Sequence, residues 1–106
     1  MSKFFFDDKE AEAKSLEVCT DALAVFGFQS QLLIAMEECA EFIVAANHRL
    51  RARDGSLEEF MEELADAQIA LGQMQLSLFA IEMHDRYEKV YLEKLKRLEK
   101  RISERE

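Results

Sequence analysis

Apolar residues recur every three to four positions along almost the whole chain, the period of an amphipathic helix. Leu16, Cys19, Leu23 and Phe26 keep that spacing in the first quarter, which predicts a helix from about Asp8 to Phe26, stopped by Gly27. A second helix is expected after Ser30, a good N-cap, running to about Arg51. Arg53, Asp54 and Gly55 then turn the chain. Ser56 with Glu59 three residues on makes a capping-box pattern, so a third helix is expected from Ser56 to about Met83. A fourth is expected after Asp85, with Glu88 three residues later, to about Ser103. The chain has no proline, three glycines and no alternating run of β-branched residues, so strands are not expected. The pattern therefore reads as all-α. Short connections make neighbouring helices antiparallel, which predicts a four-helix antiparallel bundle.

The two central helices carry more apolar surface than one bundle needs. In the second, Leu32, Leu33, Met36, Ala40, Ile43 and Val44 share one face, and Ile34, Phe42 and Ala45 lie roughly opposite. In the third, Phe60, Leu64, Ala67, Leu71, Met74 and Leu78 share a face, while Met61, Ile69, Leu76 and Phe79 fall elsewhere. A helix that is apolar nearly all round is buried nearly all round. A single small chain cannot cover both sides of two long helices, so a homo-oligomer, dimer or tetramer, is expected to form through these central helices. The alternative is a monomer with exposed apolar patches.

Size and charge narrow the partners. A chain of 106 residues suits one domain, residues 1–106, with one core. The apolar fraction of 49% is too high for a disordered chain. No apolar run approaches the roughly 20 residues of a membrane span. Three consecutive Phe residues, Phe4 to Phe6, are followed at once by Asp7 and Asp8, a poor match to a signal peptide, so a cytoplasmic location is expected. The formal net charge of −8 repels nucleic acid and anionic membranes, and neither is expected as a partner. Cys19 and Cys39 fall on apolar faces and read as reduced core residues.

Candidate chemistry lies in the carboxylates of the central helices. Glu38 and Glu41 are three residues apart and share a helix face, as do Glu63 and Asp66. Folding the helices back through the turn near Asp54 sets Glu41 level with about Asp66. Four like charges at that separation, in apolar surroundings, raise one another's pKa and oppose folding unless a cation compensates them. The donors are all hard oxygens, with no Glu-x-x-His spacing anywhere. That disfavours a di-iron redox bundle and suits Mg²⁺, with Mn²⁺ as substitute. Either pair alone reads as a solvated stripe. Two pairs at matching height on facing helices read as a site.

EECAE at Glu37 to Glu41, followed by ELAD at Glu63 to Asp66, resembles the EExxE…ExxD signature of the MazG-like nucleoside triphosphate pyrophosphohydrolases, in their short single-domain, phage-type form. The resemblance takes in Gln31 and the KLKRL at Lys94 to Leu98, and covers roughly Ser30 to Ile102. It implies an all-α oligomer that hydrolyses (deoxy)nucleoside triphosphates to the monophosphate and pyrophosphate with Mg²⁺. It also implies that Glu38, Glu41, Glu63 and Asp66 are catalytic metal ligands, with Glu37 in support behind them. A cation between acids and phosphates reconciles an acidic chain with an anionic substrate.

Lys94, Arg97 and Arg101 recur beside the stripe Tyr87, Tyr91, Leu95, Leu98 and Ile102 and are candidates for gripping the substrate phosphates. Their plainer reading is a solvated basic face. Gln31 and Asn47 flank the acids and are candidates for a base or sugar contact, or for ordinary polar packing. Phe26, Phe28 and Phe42 are candidates for base stacking, more simply read as core. His48 and His84 are expected at the surface or its boundary. A different class of function, a non-catalytic helical interaction protein that keeps the fold and the metal site, stands as the alternative. No motif assigns a role to the first helix.

Overall fold

The computed structural model describes residues 6–105, and Phe4 and Phe5 lie outside them. The described residues form four α-helices and no strand: α1 (Lys9–Phe26), α2 (Phe28–Leu50), α3 (Ser56–Ala80) and α4 (His84–Arg105). Asp8 caps α1 by accepting hydrogen bonds from the N–H groups of Glu10 and Ala11, at 2.9 and 3.3 Å. Gly27 ends it at φ 86°, a left-handed value that favours glycine. The next helix begins at once.

Several helix ends differ from the periodicity reading. Gly27, not Ser30, caps α2, because glycine's conformational freedom lets the chain turn within one residue. Gly55 caps α3, so Ser56 is its first residue and its buried hydroxyl bonds nothing among the described residues. The capping box is absent because Glu59 is drawn to His48, whose Nδ1 lies 2.9 Å from the carboxylate. Helix α3 stops at Ala80 rather than Met83, and α4 starts at His84 and runs to Arg105. The stop is a Schellman motif: Met83 N–H donates to Leu78 O (2.9 Å), Glu82 N–H to Phe79 O (3.1 Å), and Glu82 sits at φ 56°. Helix α2 ends identically: Arg53 N–H bonds His48 O, Ala52 N–H bonds Arg49 O, and Ala52 is at φ 51°. Neither residue is glycine, so the period alone gave no sign of the α3 stop, whereas α2 ends within a residue of the expected Arg51.

Packing centres on α2 against α3. Gln31 meets Gln73, Phe42 meets Phe60 with ring centroids 5.5 Å apart, and His48 meets Glu59, so the order of partners reverses between the two helices. Ala35, Ala45, Ala67 and Ala70 are buried along this seam, and their small side chains let the backbones come close. Helix α1 lies on α3 and more lightly on α2, with Cys19 buried and its thiol pKa raised by desolvation. Both cysteines are free. Helix α4 touches α3 alone, and every described residue from Tyr91 onward is exposed.

The buried apolar residues are one cysteine and four alanines, with no Leu, Ile, Phe or Met among the described ones. Leu33, Met36, Ile43 and Val44, most of the apolar face of α2, are more than half exposed. The accessible area is 8659 Å², against about 6,100 Å² for a folded monomer of this mass. The radius of gyration is 16.0 Å, against about 13 Å for a compact domain of this length. No single described helix is long and apolar enough to cross a membrane. Helices α1 and α2 together reach that length and composition but are bent by 119° at their break.

Candidate metal centre

The middle of the α2–α3 seam holds carboxylates. Carboxylate oxygens of Glu38, Glu41 and Glu63 all lie within 4.8 Å of one another. Glu38 and Glu63 are half-buried and Glu41 is exposed. The i, i+3 spacing puts Glu38 and Glu41 on one face of α2, and the return of the chain through residues 51–55 sets Glu63 against them. Asp66 is exposed and outside this group of three, yet its charge acts on both Glu38 and Glu63. Glu37 is exposed beside Glu38.

One oxygen of Glu38 and one of Glu63 are buried and have no hydrogen-bond partner among the described residues. A buried acceptor left without a donor is costly, and a charged one more so. Desolvation therefore pushes the Glu38 carboxyl above its usual value, with further upward pressure from the charges of Glu41, Asp66 and Glu63. Glu63 is raised in the same way, by desolvation first and then by Glu41 and Asp66. No basic side chain forms an ion pair with this group among the described residues. The arrangement is a set of hard oxygen donors that no basic side chain among the described residues pairs with. Such a set fits a small divalent cation.

The seam is polar at both ends as well. On one side His48 and Glu59 form a partly buried pair, with both carboxylate oxygens within 3.0 Å of Nδ1. On the other, Gln31 Nε2 donates to Gln73 Oε1 at 2.6 Å, both residues being buried, while Gln31 Oε1 has no partner among the described residues. Of the two residues considered for base or sugar contact, Gln31 is thus tied to α3 and Asn47 is exposed. Phe42 is half-buried against Phe60, and Phe26 and Phe28 are exposed, so the core reading fails for the last two.

Lys94, Arg97 and Arg101 are not brought to the acids within one chain. They are exposed on a helix that does not touch α2. His84, expected at the boundary, is buried: it stacks on Phe79 with ring centroids 3.8 Å apart. Its Nδ1 faces Glu88 at 3.2 Å, leaving Nε2 to accept from Gln75 Nε2, also at 3.2 Å. The Schellman turn folds α4's first residue back onto α3, a contact that helical spacing cannot show. Gln73 was also missed, although a glutamine in the apolar stretch LGQMQL is a sign that something must pair with it. No protein-family model, no curated protein and no solved structure matches this chain.

Proposed function

We propose that this chain is a magnesium-dependent hydrolase of (deoxy)nucleoside triphosphates, releasing the monophosphate and pyrophosphate, and that it works as a cytoplasmic homo-oligomer of four-helix antiparallel bundles. The observation that carries the metal-dependent part is the convergence of Glu38, Glu41 and Glu63 within 4.8 Å, with two buried oxygens left without donors. The choice of a nucleoside triphosphate rests on the EECAE…ELAD resemblance.

Glu38, Glu41, Glu63 and Asp66 would hold Mg²⁺, or Mn²⁺ in its place. When bound, the cation supplies positive charge that polarises a phosphate oxygen and acidifies water. The chain's own contribution is positional. Glu38 and Glu63 are set by helix backbones rather than loops, and their partial burial strengthens their electrostatic hold on a cation. Raised pKa values leave them able to take up a proton when no cation is there. Glu37, exposed next to Glu38, adds negative charge beside the cluster. Lys94, Arg97 and Arg101 have no ion-pair partner among the described residues. They belong to this reading as phosphate-gripping residues carried by a second copy.

The test is a panel of (d)NTPs with Mg²⁺, scored for monophosphate and pyrophosphate, in ¹⁸O water. Label in the monophosphate with pyrophosphate released is the expected result, and Glu38→Ala lowers turnover about 10²-fold or more. Label in orthophosphate would mean a phosphatase. No turnover by folded, Mg²⁺-loaded protein would favour a non-catalytic interaction protein.

A further inference from the structure

Two apolar features on this chain lack a partner among the described residues and lie on helices of opposite net charge. The first is a groove of about 790 Å³ between α1, the start of α2 and the end of α3. Leu16, Thr20, Leu23, Phe28, Phe79 and Ile81 line it. All of these but Leu23, which is half-buried, are exposed. The second is the outer half of α4, where Tyr91, Leu95, Leu98 and Ile102 form a stripe along one face, each about half exposed. From Tyr91 to Ile102 the stripe spans about 16 Å of helix, and Leu16 to Leu23 spans about 10 Å along α1, at 1.5 Å per residue.

The stripe does not reach the groove of its own chain. Helix α4 leaves the Schellman turn at Glu82, packs its first turn on α3 through His84, and touches neither α1 nor α2. We propose that the outer half of α4 docks in the α1–α3 groove of a second copy of this chain, with the two copies exchanging helices.

Charge selects that occupant. Helix α4 carries eight Lys and Arg against five Asp and Glu, a net +3 in a chain of net −8, so the remaining residues carry −11. Helix α1, which forms one wall of the groove, has four acids and two lysines. The residues lining the groove are uncharged, but the α1 helix that walls it is net acidic and draws a basic amphipathic helix. The acidic body that follows that helix resists an anionic lipid surface. The inference does not depend on the reading of the carboxylates: an inactive protein that exchanges α4 leaves it standing.

The test places benzoylphenylalanine at Leu98, mixes isotopically light and heavy full-length copies, irradiates and maps the adducts by mass spectrometry. The expected adducts are mixed-isotope, joining Leu98 of one copy to residues 16–28 or 76–81 of the other. Adducts within one copy, or to the exposed face of α2, would overturn the proposal. So would adducts to lipid but not protein when phosphatidylglycerol vesicles are present. Independently, Leu95→Glu with Leu98→Glu raises the self-association constant for dissociation about tenfold or more, because four buried leucines are lost per pair. Helix content by circular dichroism stays the same, since both side chains are exposed in the single chain. Unchanged association in the double variant would also overturn it.

Discussion

At the scale of single residues, the carboxylates set the behaviour of the metal-free protein. Glu38 and Glu63 have folded-state pKa values raised above the usual 4.5, so the folded chain holds these protons more tightly than the unfolded chain. Stability from these two groups is fully present below about pH 4.5 and is lost as pH rises through the raised values. Metal-free protein is expected to lose melting temperature through these two groups as pH rises from about 4.5 to about 7.5, and Glu38→Gln shrinks that loss. A difference of equal size in wild type and Glu38→Gln would show that Glu38 is not desolvated. On the proposed reading, cation binding acts in the opposite direction, and Mg²⁺ or Mn²⁺ at 100 times its Kd is expected to stabilise by about 2.7 kcal/mol through mass action. Glu41→Gln and Asp66→Asn remove most of this gain in thermal melts while leaving the metal-free fold as firm or firmer. An unchanged gain in both variants would mean that the acids are a solvated stripe.

At the scale of elements, the helix ends carry strain that substitution can relieve. Ala52 and Glu82 both occupy the left-handed position of a Schellman motif, at φ 51° and 56°, where a side chain costs about 1 kcal/mol relative to glycine. Ala52→Gly and Glu82→Gly are each expected to stabilise by roughly 0.5 kcal/mol, the relief being partly offset by glycine's greater unfolded-state freedom. Urea midpoints measure this, and a fall in both would contradict the motif. His84 links α3 to α4 through its stacked ring and two polar contacts. His84→Ala, which opens a gap against Phe79 and strands Gln75, is expected to cost about 2 kcal/mol.

At the scale of the whole molecule, the exposed apolar faces decide the state in solution. Leu33, Met36, Ile43 and Val44 on α2 are more than half exposed, as a continuous face that a monomer would leave in water. Sedimentation at low micromolar concentration is expected to show at least a dimer. A well-folded monomer there would mean that the chain tolerates this exposure. The α2 face and the outer half of α4 are separate surfaces, so substitutions on the two are expected to act additively on association.

Much of this was legible along the chain because local rules govern it. Helical class, the number of helices and the turn at residues 51–55 follow from a three-to-four-residue period and the absence of proline, signals carried by neighbouring residues. The pairing of Glu38 and Glu41 follows from helix geometry alone. That Glu63 joins them while Asp66 stays at the edge depends on the register of α3 against α2, which the buried alanines and the Gln31–Gln73 contact set across the seam. The burial of His84, the loss of the Ser56–Glu59 capping box to His48, and the separation of α4's basic residues from the acids are also tertiary outcomes. Each arises where a side chain chooses between a neighbour in sequence and a partner on another helix, and periodicity contains no information about the second.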